Sequence, residues 1–179
     1  MGIGRLDLTD AEMRTIACAA MTVQRKKPSK YMEIGAFGGG TIKFVMECAP
    51  GIQCTGVDFF EDFQPDASNT HINLNPKMED VSKYLGPDVR LLKGDSSQIL
   101  LELARCDEKF DFIFIDGNHK YEATKKDYVN SLKMLNKGGF IAFHNSSPHL
   151  GPDWDLYNKV DGGPWQVVTE IKISKEMTH

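Results

Sequence analysis

Five short stretches of this 179-residue chain carry residue types suited to chemistry, and each one follows an apolar run. Glu33-Ile34-Gly35-Ala36-Phe37-Gly38-Gly39-Gly40 joins an acid to a glycine turn, Gly56-Val57-Asp58 and Gly94-Asp95-Ser96 release carboxylates, and Asp116-Gly117-Asn118-His119 and His144-Asn145 release acid, imidazole and amide groups. A glycine turn feeding a helix leaves backbone N–H groups at a positive helix end, where phosphate or the bulk of a ligand can approach. A carboxylate at a neighbouring strand end can accept hydrogen bonds from ribose hydroxyls, and one beside the turn can face an amino or cationic group. The strict dinucleotide pattern wants glycines at positions 35, 37 and 40, and Phe37 breaks it. No Gly-Lys-Ser or Gly-Lys-Thr follows the turn, so a P-loop is excluded. A glycine turn with one acid also describes an ordinary tight strand-to-helix turn.

The elements that must position these groups are legible in turn. Thr9-Asp10-Ala11-Glu12 is a capping box, and Met13, Ile16, Ala17, Ala20 and Met21 continue one helical face towards Pro28. This first helix either packs on the sheet or covers the ligand, and packing is the expectation. Strands are expected at 31–34, 52–58, 89–92, 110–115 and 140–143. The intervening helices run from the glycine turn to about Ala49, over 75–85, from Asp95 through Leu103, and from Tyr121 to a stop at Lys137-Gly138-Gly139. In the tail, residues 164–173 fit a helix begun by Pro164 and also alternate as a strand; helix is the expectation. Strands alternating with helices imply an α/β, Rossmann-like, doubly wound and mainly parallel sheet. Ligands of such sheets sit beyond the carboxyl ends of the strands, where Glu33, Gly35, Asp58, Asp95, Asp116, His119, His144 and Asn145 all fall.

The length suits one domain, with 1–28 as an N-terminal helix, 29–146 as the core and 147–179 as a C-terminal cover. A net charge of −4 argues against a nucleic-acid surface, and the basic clusters Arg25-Lys26-Lys27 and Lys125-Lys126 read as solvated helix faces. Four cysteines without metal or C-x-x-C spacing read as reduced core residues of a cytoplasmic protein. No apolar run reaches the length of a membrane span, and no signal-peptide core is present. Leu6 stands where a myristoylation motif wants Ser or Thr.

Taken together, the glycine turn, Gly56-Val57-Asp58, Gly94-Asp95-Ser96, Phe110 through Tyr121 and Leu135 through Asn145 resemble class I S-adenosylmethionine-dependent methyltransferases. The resemblance is strongest to the subgroup with Asp-Gly-x-His-x-Tyr after strand four, related to catechol-type and macrolide-sugar O-methyltransferases and cephalosporin-hydroxylase-like proteins. It covers residues 31 to 146 and implies strand order 3-2-1-4-5, with the usual antiparallel strand pair at the end abbreviated or absent and an open sheet edge that invites a homodimer. It also implies that Glu33 and Gly35, with Ala36, Phe37 and Gly39, line the methionine part of the cofactor, that Asp58 holds the ribose hydroxyls, and that Asp95 and Ser96 contact adenine. Phe59 is placed to stack on a flat ring.

By the same resemblance Asp116 takes the position of a divalent-cation ligand beside the cofactor, and His119 takes the position of a general base. An imidazole titrating near neutrality suits that role. Asn145 stands where a carboxylate is usual, so Asp116, His144 and Asn145 would offer a cation only one anionic ligand, which suits a transition metal better than Mg²⁺. The expected function is methyl transfer to a hydroxyl of a small-molecule acceptor. A non-catalytic cofactor-binding protein and a nicotinamide oxidoreductase are the alternatives. Plain structural uses also stay open: Asp95 as an N-cap, His144 as a cap on the sheet's end, His119 as a first-turn helix residue facing solvent, and Trp154, Tyr157 and Trp165 as a cover for the sheet.

Overall fold

The computed structural model describes residues 3–6, 8–25, 28–63, 75–147 and 162–176. Trp154 and Tyr157 lie outside the described residues. The chain runs α1 (Asp10–Gln24), β1 (Lys30–Ile34), α2 (Gly40–Cys48), β2 (Gln53–Asp58), a 3₁₀ turn (Phe60–Asp62), α3 (Met78–Leu85) and β3 (Arg90–Lys93). It continues through α4 (Ser96–Arg105), β4 (Phe110–Ile115), α5 (Tyr121–Met134), β5 (Leu135–Phe143) and α6 (Gly163–Glu176). The strands form one sheet in the order β3-β2-β1-β4-β5, and every pairing is parallel. This is the doubly wound arrangement that the alternation implied. The ambiguous tail segment is helical, inside α6.

Alternation along β1 divides the core. Tyr31 faces a cluster with Ile16, Ala20 and Val23 of α1 and Ile42 and Val45 of α2, whereas Met32 and Ile34 face Leu100 and Leu103 of α4 and Met134 of α5. A β-strand presents successive side chains to opposite faces, so a central strand covered on both sides must be apolar throughout. β4 meets this with six buried residues, of which only Asp111 is polar.

Asp111 explains the main error in the predicted boundaries. The helix α5 stops at Met134, not at Lys137-Gly138-Gly139, and Leu135 already takes extended angles and pairs with Phe110. Asp111 accepts from the Lys30 backbone N–H at 2.8 Å and from Asn136 Nδ2 at 3.0 Å, tying the start of β5 to the starts of β4 and β1. Gly139 is needed there because a Cβ would lie 2.6 Å from the Asp111 carbonyl oxygen. Two smaller corrections follow: α3 begins at Met78, after Asn75 and Pro76, and among the cysteines only Cys54 is buried, Cys18 and Cys106 being exposed. All four thiols are free. Asp111→Ala is expected to lower stability by about 1–3 kcal/mol, because it strands the Lys30 amide in a partly buried position. Urea denaturation reads this as a lower midpoint at unchanged slope.

Candidate functional site

The backbone ladder runs one residue beyond the strands, and this aligns the site. The N–H of Gly35 donates to Val57 O, that of Asp116 to Ile34 O, that of His144 to Ile115 O and that of Gly94 to Asp58 O, all at 2.8–3.0 Å. The residues that the sequence places at strand ends therefore share one edge. Gly35 has φ +93, and a Cβ on it would fall 2.1 Å from the Asp116 carbonyl oxygen, so only glycine fits. Phe37 keeps a left-handed backbone, φ +41, at the position where the dinucleotide pattern has glycine. Such a conformation costs a non-glycine residue about 1–2 kcal/mol. Gly39 caps α2 with no side-chain hydrogen bond, which leaves the first N–H groups of that helix to the turn or a ligand.

Asp58 braces this turn. Its carboxylate accepts from the backbone N–H of Phe37 at 2.8 Å and of Phe60 at 2.7 Å. Burial pushes its pKa above the ordinary Asp range, against those backbone hydrogen bonds, and the nearby Asp116 charge pushes the same way as burial. Glu33 is 1% exposed and accepts from the Tyr31 hydroxyl at 2.7 Å. Burial raises it well above the usual carboxylate range, the Tyr31 hydrogen bond works against that, and Asp116 and Asp58 add to the rise. Three acids thus converge on one corner.

The other expected cofactor residues divide between surface and interior. Ala36 is buried in the core, and Phe59 is exposed with its ring 6.3 Å from that of Phe63. Asp95 is an N-cap, accepting from the Ser97 N–H at 2.8 Å, and Ser96 turns its hydroxyl onto Asp127 at 2.8 Å.

Beside this cradle sits a cluster of ionisable groups. Asp116 Oδ1 lies 3.2 Å from His119 Nε2 and 2.8 Å from His144 Nδ1. His144 Nε2 faces Glu12 Oε1 at 3.6 Å. Burial alone would raise Asp116, but the two imidazoles outweigh it and hold the carboxyl below its ordinary range. His119 is therefore neither in the first turn of α5, which begins at Tyr121, nor turned to solvent. Its carbonyl oxygen accepts from the Gly163 N–H at 3.0 Å, so α6 pins the loop that carries it.

Glu12 was legible only as the end of a capping box, which it does form with Thr9. Its second role, facing His144 from far away in the sequence, leaves no local signal. Thr9 hydrogen bonds, the His144 charge and the Asn145 backbone together overcome burial and lower its pKa. The N-terminal segment also crosses the glycine turn. Gly4 N–H donates to Gly38 O at 2.8 Å, and a Cβ on Gly40 would meet the Arg5 carbonyl oxygen.

A cavity of about 470 Å³ opens between α1 and the ends of β4 and β5, lined by Glu12, Thr15, Ile16, Phe114, Phe143 and Asn145. A second cavity, of about 480 Å³, lies at the opposite end of the strands, around Lys30, Gln53 and Arg90, away from all these groups.

Residues 32–146 match a family model described as a methyltransferase domain. The chain belongs to this family. An uncharacterized protein of Acanthamoeba polyphaga mimivirus is 27% identical over 117 residues, which cover 63% of this chain and 49% of the viral protein. The chain thus spans about half the length of that relative. Among solved structures, the O-methyltransferase TomG from Streptomyces achromogenes, in complex with S-adenosylmethionine, has TM-score 0.59 at 16% identity, covering 86% of this chain and 66% of TomG. MycE methyltransferase from the mycinamycin pathway, in complex with Mg, S-adenosylhomocysteine and mycinamycin VI, has TM-score 0.58 at 16% identity, covering 90% and 42%. These likenesses establish the fold of the methyltransferase domain.

Within this methyltransferase domain one further acid escaped the sequence reading. Asp127 of α5 is 2% exposed and holds Ser96 at the start of α4. It falls among the helical residues of α5 with no local sign of burial, because its partner is 31 residues away. Burial, against the Ser96 hydrogen bond and with some help from Asp95, pushes its pKa up to about 6. Between about pH 4 and 6 the folded chain keeps a proton that the unfolded chain has released, so stability falls as pH rises through that window. Asp127→Asn keeps an acceptor for Ser96 and carries no charge. It is expected to be more stable than the parent at pH 7, by up to about 3 kcal/mol, with the difference closing near pH 4 in denaturant titrations.

Proposed function

We propose that this chain binds S-adenosylmethionine at the glycine turn and transfers its methyl group to a hydroxyl oxygen of a small molecule held in the cavity under α1. The observation that carries this reading is the convergence of Glu33, Asp58 and Asp116 beside the uncapped start of α2. S-adenosylmethionine pairs two cationic centres, ammonium and sulfonium, with ribose hydroxyls and one carboxylate. A corner rich in acceptors beside helix N–H groups that no described side chain caps complements both signs of charge.

In the transfer, the acceptor oxygen attacks the methyl carbon in line with the departing sulfur. The O–CH₃ bond forms as the CH₃–S bond breaks, the sulfonium becomes a neutral thioether, and the hydroxyl proton must go to a base. His119 is that base in this reading. With Nε2–H donating to Asp116, the ring's lone pair sits on Nδ1, and Asp116 steadies the imidazolium that forms. Asp116 thus orients the ring; the cavity meets this corner through Glu12, which faces His144, and in-line transfer requires the acceptor to reach from there to the turn.

Isothermal titration calorimetry with S-adenosylhomocysteine tests the cofactor half. Binding in the micromolar range is expected for the parent, a loss of at least about tenfold for Asp58→Ala, and unchanged affinity for His119→Ala. A parent that does not bind S-adenosylhomocysteine overturns the reading.

A further inference from the structure

MycE, which shares this fold, was solved with Mg²⁺, and Mg²⁺ takes oxygen ligands in near-octahedral geometry. The donors brought together here are one carboxylate and two imidazoles, Asp116, His119 and His144, with ligand atoms all within 4.8 Å of one another. That set does not fit Mg²⁺. We propose that Asp116, His119 and His144 form a binding site for a divalent cation of the zinc class (Zn²⁺, Co²⁺ or Ni²⁺), with His119 a ligand when the cation is bound and the base of the proposed transfer only without it.

The donor chemistry points this way first, since imidazole nitrogen suits zinc-class ions and a lone carboxylate leaves Mg²⁺ short of oxygen. Geometry agrees. Two donor atoms about 2.1 Å from one cation stand roughly 3.0–3.4 Å apart; Asp116 Oδ1 stands 3.2 Å from His119 Nε2, inside that range, and 2.8 Å from His144 Nδ1, a pair that opens by a few tenths of an ångström to admit a cation. The three residues come from three fixed points: the ends of β4 and β5, held by the backbone ladder, and the loop pinned by Gly163.

A second observation is independent of the donor set. A histidine that binds a metal through one nitrogen usually turns the other towards a carboxylate, which fixes the ring and raises its basicity. His144 has this arrangement, with Nδ1 towards Asp116 and Nε2 towards Glu12. Glu12 is itself fixed by the capping box. The side chains of Asp116, His119 and His144 remain 23%, 21% and 13% exposed, which leaves an open face for water or an acceptor oxygen, as catalytic zinc sites have. The cation site stands on this geometry and does not depend on the methyl-transfer reading. A cation on His119 takes its lone pair out of proton transfer.

The test is calorimetry on the full chain after chelator treatment, with ZnCl₂ and MgCl₂ as titrants and Cys18→Ser with Cys106→Ser as background to remove the exposed thiols. Zn²⁺ is expected to bind one to one, at least about a hundredfold more tightly than Mg²⁺. His119→Ala and His144→Ala should each weaken it at least about tenfold, and Glu12→Gln by about tenfold. The visible absorption of Co²⁺ should be lost in the same two histidine variants, and circular dichroism melts establish that each variant is folded. Zn²⁺ binding untouched by both histidine variants, or Mg²⁺ binding as tight as Zn²⁺, overturns the proposal. Loss in His144→Ala without loss in His119→Ala also overturns the three-donor site and returns His119 to the role of base. S-adenosylhomocysteine titrated into the same samples reads the methyl-transfer proposal separately.

Discussion

The parallel ladder between β1 and β4 is the constraint on which the rest of the structure depends. Its last bond, from Asp116 N–H to Ile34 O, lies one residue past the strand and brings Asp116 against Gly35 so closely that no side chain fits between them. Every other functional group is referred to that point. Gly35 bonds across to β2, where Asp58 then braces the turn, and His144 bonds back to β4, where it meets Asp116. A slip of one residue in the pairing would reverse the faces of β1, expose its core side chains and separate the acids from the imidazoles.

The same corner concentrates electrostatic strain. Burial pushes both Glu33 and Asp58 above their ordinary ranges, with the like charge of Asp116 adding to it, while Asp116 itself is held down by two histidines against its own burial. Groups whose environments push their pKa values apart are what acid–base chemistry and cation binding need. An arrangement serving stability alone would have filled the corner with apolar side chains, as the rest of β4 does.

Local signals made most of this fold legible. The capping box at Thr9, the glycines before α2 and the apolar runs of β1 and β4 each state their structure within a few residues, and their alternation implies the parallel sheet, whereas the strand order came from the family resemblance. The stop of α5 was misread because Gly138 and Gly139 resemble a helix end, whereas they let β5 pass close to Asp111. Convergence of the strand-end residues was readable from topology alone. Glu12 and Asp127 were not, because each acts through a partner brought near only by tertiary packing, and a charged residue on a helix looks solvated until that partner is known.

The segment that matches the family, 32–146, contains the glycine turn, Asp116 and both histidines, yet the contacts that position those histidines also come from outside it. Glu12 on α1 orients His144, and Gly163 at the start of α6 holds the His119 carbonyl. The cavity is likewise walled on one side by α1. In an open α/β sheet the strand ends offer much the same geometry to every member of a family, and chemistry diverges through the segments laid over them. In this chain those segments are α1, which faces His144 through Glu12 and also packs on α2, and α6, which holds the His119 carbonyl. The proposed chemistry at Asp116 is thus tuned by segments other than the glycine turn that the sheet positions.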